Sequence, residues 1–262
     1  MRNRIYAYAK KYNGDYYKIR SALQQDEAYE KMDFDENFIT IYDEAYPACF
    51  LQLKYPPFIL FYEGDVSLLK DPLIAIVGGR LYVKEGKEMT ILLTKELSKR
   101  YTVVSGMAKG IDAIAHMNAK RTIGVLGHGL DIVYPKENEQ LYAYMKQYQL
   151  LITEYPKGVR PQKFYFPFRN RLIAALGSKI VVPSCQEKGG TMVTVNEGLR
   201  LNKEIYTVPY SWHVTYAQGC NHLIEQGANM ILSKEDIEDI WKKVLTNYKK
   251  ENTLKYKMTG VK

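Results

Sequence analysis

The chain predicts an α/β protein, doubly wound around a mostly parallel sheet with helices on both faces. Short apolar runs alternate with stretches of helical periodicity from residue 73 onward. The runs are apolar nearly throughout rather than at every second residue, as strands buried on both faces require. Glycines follow several of the runs, where a strand must turn into a helix: Gly78-Gly79, Gly106 and Gly127.

Taken in order, residues 1–55 are rich in tyrosine and acid, with a helical stretch over 19–32 and no cleanly alternating strand. They predict a small, mostly helical N-terminal region. Tyr46-Pro47 and Tyr55-Pro56-Pro57 then mark loop and linker. A short strand is expected at 58–62, ended by Glu63-Gly64-Asp65. Strands at 73–77, 101–104, 122–126, 150–154, 179–183, 204–208 and 229–232 follow. Helices are expected over 85–99, 111–120, 137–147, 172–176, 191–201 and 221–226, and Ser233 caps a last one over 235–244. The predicted organisation is therefore the N-terminal region 1–55, an extended Rossmann-like domain over 56–232, and a C-terminal helix with a basic tail over 233–262.

Composition narrows the class. A hydrophobic fraction of 46% suits an ordinary globular core. No apolar run approaches about 18 residues, so no membrane span is expected. The start, Met1-Arg2-Asn3-Arg4-Ile5-Tyr6, lacks the apolar stretch of a secretory signal. Cys49, Cys185 and Cys220 lie far apart without a Cys-x-x-Cys pair, which points to buried thiols in a reducing cytoplasm. The net charge of +8 favours acidic partners, nucleic acid above all. Part of that charge lies in the tail, where residues 242–262 hold seven lysines and one acid, Glu251. Such tails are usually solvated.

In doubly wound sheets, ligands sit outside the carboxyl ends of the strands. That rim carries Gly78-Gly79-Arg80, Ser105-Gly106 with Lys109, Gly127-His128-Gly129, Glu154-Tyr155-Pro156 and Lys188-Gly189-Gly190-Thr191. Each glycine alone is explained by a tight turn. Their coincidence with Arg80, Lys109 and Lys188 predicts a phosphate-binding groove, in which N–H groups of the glycine turns hold phosphates and the cations neutralise them. Lys163 joins them, and Phe164-Tyr165-Phe166 offers ring faces to unpaired bases, with Phe164 or Tyr165 the one expected to stack. Arg169 and Arg171, flanking Asn170, fit either DNA contact or structural hydrogen bonds to neighbouring loops.

These motifs together resemble the DNA-processing protein A (Smf) family of bacterial natural transformation. The match rests on Val77-Gly78-Gly79-Arg80, on Ser105-Gly106-x-Ala108-x-Gly110-Ile111-Asp112-x-x-Ala115-His116, and on Val125-Leu126-Gly127-x-Gly129 with Tyr134-Pro135-x-x-Asn138. It continues through Glu154-Tyr155-Pro156, Phe166-Pro167-x-Arg169-Asn170-Arg171-x-Ile173-Ala174 and Gly219-Cys220-Asn221-x-Leu223-Ile224-x-x-Gly227-Ala228. The resemblance implies a single-stranded DNA binder, without cofactor or catalysis, that protects incoming DNA, helps load the RecA recombinase and works as a homodimer. Two departures stand out. Gly189-Gly190-Thr191 replaces the family's common Ser-Gly-Ser, and Tyr210 follows Pro209 where a glycine is common, which leaves the shape of that turn open. Many members add a winged-helix domain; the 30 residues after Leu232 are too few for one.

Enzyme chemistry finds little footing. His116, His128, His213 and His222 show no metal-ligand spacing, and His116, one helical turn after Asp112, reads as a structural hydrogen-bonding residue. No Gly-x-Ser-x-Gly elbow or Walker loop occurs, and Gly78-Gly79-Arg80 lacks the dinucleotide spacing. The serious alternative is a nucleotide phosphoribohydrolase of the Lonely-guy (lysine-decarboxylase-like) group, whose motif is Pro-Gly-Gly-x-Gly-Thr-x-x-Glu. Aligned on Gly189-Gly190, this chain has Lys188, Met192, Val193 and Asn196 at the proline, third glycine, threonine and glutamate positions. Glu197 is one residue out of place, about 100° around a helix.

Overall fold

The computed structural model describes residues 1–241. Its strands are β1 (Phe38–Thr40), β2 (Ile59–Gly64), β3 (Leu73–Ile76), β4 (Thr102–Ser105), β5 (Thr122–Leu126), β6 (Leu150–Thr153), β7 (Lys179–Val182), β8 (Glu204–Thr207) and β9 (Asn229–Met230). They form one sheet in the order β1-β2-β6-β5-β4-β3-β7-β8-β9. From β6 to β9 all neighbours are parallel, while β2 joins β6 and β1 joins β2 antiparallel. The helices are α1 (Arg2–Lys11), α2 (Tyr16–Gln24), α3 (Lys84–Leu97), α4 (Ile111–Asn118), α5 (Glu139–Tyr148), α6 (Tyr165–Leu176), α7 (Gly190–Arg200) and α8 (Gln218–Glu225).

Side-chain alternation along buried strands divides the core. On β3, Ile74 and Ile76 pack with Leu93 and Leu97 of α3 and with Ile237 and Ile240, while Leu73 and Ala75 face the opposite layer with Leu172 to Leu176 of α6. A third cluster joins Ile5, Tyr6 and Tyr8 of α1 and Ile19 of α2 to Phe61, Leu126, Tyr142 and Leu151. The N-terminal helices thus pack on the sheet, and the same stretch also supplies β1. Its three residues are too few to show a period.

Other elements shift for local reasons. The helix expected over 19–32 is α2, started by Asp15, whose carboxylate accepts from the N–H groups of Tyr17 and Lys18, and it ends at Gln24. The helical stretch expected over 172–176 lies in α6, which begins at Tyr165 because Pro167 falls in its first turn, where no intrahelical N–H is needed. The last strand shortens to Asn229–Met230. Ser233 Oγ accepts from Asp236 N and the Asp236 carboxylate accepts from Ser233 N, the capping expected for the helix that runs over 234–241. Its expected end at 244 and the basic tail lie outside the described residues. Tyr210 does not need a left-handed backbone: its N–H donates to Asn221 and its hydroxyl to Pro183 O. Cys49, Cys185 and Cys220 are free thiols.

Among the described residues no helix is long and apolar enough to cross a membrane.

Arg171, on α6, forks onto Glu154 just beyond β6 with two bonds of 2.6 Å, and donates also to Tyr55 O and Phe168 O. Both partners are almost fully buried, at 5% and 6% exposure, so removing one strands the other's charge. Arg171→Ala is expected to cost about 3–5 kcal/mol, read from urea denaturation.

Candidate nucleic-acid interface

Strand order reverses between β3 and β7, which makes the loops after these two strands the walls of a crevice. They touch: Gly79 N donates to Ser184 O. The loop after β4 packs against the first of them, since Ile111 N, at the start of α4, donates to Gly79 O. Gly110 has φ of +81°, and a Cβ there would overlap Gly79 O. Gly78 N in turn points at the Asp112 carboxylate, 3.4 Å away. The N–H groups of Gly78, Gly79 and Ile111 are therefore committed within the fold. This corrects the expectation that the Gly78-Gly79 turn holds phosphates through the backbone. The glycines let three turns close on one another.

The open donors lie elsewhere. Gly189 and Gly190 are exposed, with no atom within 4 Å of where a Cβ would stand. The N–H groups of Gly190, Thr191 and Met192, at the start of α7, donate to no partner among the described residues. Asn170 Nδ2 donates to Gly190 O at 3.1 Å and anchors this end to α6. A helix N-terminus with free donors suits an anion.

A pocket of about 70 Å³ lies over the ends of β4 and β5, lined among others by Arg80, Lys109, His128, Tyr134, Phe166 and Arg169. The expected cations thus meet here in part. Arg80 is exposed and pairs with no acid among the described residues. Lys109 is also exposed, but its Nζ is paired with Glu137. The bond lowers the Glu137 carboxyl below its usual range. Lys163 and Lys188 are exposed, with no acidic partner among the described residues, on the loops before α6 and before α7. Neither lines the pocket. Phe164 is 63% exposed, whereas Tyr165 is half-buried against Tyr155, with ring centres 4.2 Å apart. Phe164 is thus the ring left available.

Three of the expected contacts face inward. Ser105 is buried and its hydroxyl donates to Ile76 O. Thr191 is buried. Arg169 is buried beneath the pocket and donates to Val125 O. Its guanidinium and the Asp112 carboxylate crowd Gly106 so closely that a Cβ would overlap both. Burial raises the Asp112 carboxyl, opposed by Arg169, and lowers Arg169. His116 packs in the same layer, its Nδ1 2.6 Å from the Thr122 hydroxyl, not on Asp112. The sequence did not single out Tyr134 or Glu137 as part of this site, and of the aromatic triplet it favoured Phe164 or Tyr165 over the pocket-lining Phe166; Glu137 falls at an unspecified position of the Tyr134-Pro135-x-x-Asn138 pattern.

Among the described residues no group of three His, Cys, Asp or Glu side chains is placed to hold a metal. The site belongs to the class of Rossmann-like domains that present cations and an open helix N-terminus along the carboxyl ends of parallel strands. Residues 37–244 match the model of the DNA recombination-mediator protein A family, and the chain belongs to that family. It is 41% identical to the DNA processing protein DprA of Bacillus subtilis over 77% of this chain and 70% of that protein. The structure is similar to that of DprA from Streptococcus pneumoniae, with TM-score 0.76 and 30% identity over 90% of this chain and 92% of the other. It is also similar to DprA from Helicobacter pylori, described for its unique single-stranded DNA binding mode, with TM-score 0.73 and 32% identity over 82% and 99%.

Burial pushes His116 from an ordinary 6.5 down to about 3. It is neutral in both states above 6.5. Below that the unfolded chain takes up a proton that the folded chain cannot, so stability falls until about pH 3. Thermal unfolding midpoints are expected to drop from pH 7 to pH 4, and His116→Gln, which keeps a donor for Thr122, is expected to flatten that decline relative to wild type.

Proposed function

We propose that the chain binds single-stranded DNA along the carboxyl rim of its sheet in DNA processing during transformation, and delivers the strand to the RecA recombinase without altering it. The observation that carries the reading is the set of exposed cations without acidic partners among the described residues, Arg80, Lys163 and Lys188, together with the open start of α7 and the exposed ring of Phe164, all on loops at the carboxyl ends of the strands. Phosphates meet Arg80, Lys163, Lys188 and the Gly190 to Met192 N–H groups, and Phe164 stacks on a base. A pocket of about 70 Å³ is far below the ~300–1,000 Å³ of small-molecule sites, which favours an extended strand over an enclosed nucleotide. The phosphoribohydrolase alternative gains nothing from the fold: Glu197 is paired with Arg200 on α7.

The working form is a homodimer in the cytoplasm. Exposed Met230 and Leu232 at the β9 edge, with Leu199 on α7, supply apolar surface for a second copy, whereas Ile231, Ile237 and Ile240 are core.

Titrating labelled oligothymidine and duplex at several salt concentrations tests the binding claim. Unpaired strands are expected to bind more tightly. Arg80→Ala weakens every single strand alike and lowers the salt slope by about 0.7. Phe164→Ala costs about 1–3 kcal/mol of binding. Equal affinity for duplex, or unchanged slopes, sinks the assignment; RecA filament assembly on a coated strand tests delivery.

A further inference from the structure

Glu137 places a carboxylate against a cation of the pocket. It lies in the 3-10 turn Lys136–Asn138, directly after Tyr134 and Pro135 of the pocket wall, and its carboxylate pairs with Lys109 at the same pocket. The next residue fixes this arrangement. Asn138 is buried and its amide donates to Met107 O at 3.0 Å and Ala108 O at 3.3 Å, tying the turn of Glu137 to the turn of Lys109. Lys109 and Glu137 remain roughly half exposed, at 51% and 62%, so solvent and a strand reach both. By contrast Arg80, lining the same pocket, has no acidic partner among the described residues.

We propose that Glu137 is an internal stand-in for a DNA phosphate and sets the affinity of the rim for single strands. The proposal rests on the single-stranded DNA reading above. A strand that reaches Lys109 must displace the carboxylate and leave its charge unpaired beside the phosphodiester. Lys109 then gives up no solvent counterion on binding, because its counter-charge is already part of the protein. Arg80 and Lys109, although neighbours, differ in what they contribute: Arg80 acts as an open electrostatic contact, Lys109 as an exchange of one anion for another.

The experiment is fluorescence anisotropy of labelled oligothymidine with the full chain at several salt concentrations. Glu137→Gln is expected to tighten binding about threefold to tenfold at low salt, where an exposed pair is least screened. It also steepens the salt slope by about 0.7, since a freed Lys109 gains a counterion for phosphate to release. In a Lys109→Ala background the same substitution has no effect. Glu139→Gln, the same charge change two residues on, leaves affinity at the wild-type value. An unchanged or weakened Glu137→Gln, an equal gain without Lys109, or an equal gain from Glu139→Gln overturns the proposal while wild-type binding stands. A wild-type chain that ignores unpaired strands overturns the underlying reading, and this one with it.

Discussion

The rim of this sheet depends on a buried guanidinium. Arg169 reaches from the buried part of helix α6 under the turn after β4, donates to the end of β5 and faces Asp112 at the start of α4. Charge in such a place is tolerable only with an opposite charge and hydrogen-bond partners nearby. The pairing requires Gly106 to have no side chain, and it places Asp112 where Gly78 N can reach it. Gly79 O then meets Ile111 N. One electrostatic requirement thus draws three strand-end turns together.

That closure redistributes the recognition chemistry. The N–H groups of Gly78, Gly79 and Ile111 are spent within the fold, and open backbone donors lie at the start of α7, on the far side of the switch point. What the closed turns contribute is rigidity beneath Arg80 and Lys109. The cations ride on a frame fixed by backbone hydrogen bonds, and the pocket between them is walled by stacked Tyr134 and Phe166, with rings 5.5 Å apart. Helix α6 serves both ends. Arg171 locks its other face to Glu154 and the loop at Tyr55, while its N-terminal approach carries Lys163 and Phe164 to the surface.

Much of this was legible in the residues themselves. Strands buried on both faces reveal themselves as apolar runs, and the strand ends, the rim and the adjacent cations followed from them. Elements were missed where period fails as a signal: β1 is three residues long, and the first turn of α6 is hidden by Pro167, which breaks helices anywhere but there. Arg169 and Arg171 stand equally open in the sequence between ligand contact and structural bonding; their burial and their bonds to Val125 O and Glu154 favour the latter. Phe164 and Tyr165 are adjacent and chemically close, and only the packing of Tyr155 separates them.

Local order, the class of fold and the side of the sheet that meets a ligand are properties of the linear chain, because hydrophobic period and turn chemistry act over a few residues. Which glycine N–H groups stay free, which lysine already has a carboxylate, and which arginine lies inside are not. Those depend on contacts such as Gly79 with Ile111, Lys109 with Glu137 and Arg169 with Val125, separated by 28 to 44 positions in the last two pairs. Hydrogen bonds and ion pairs have no period along a sequence, so folding alone determines which donor meets which acceptor.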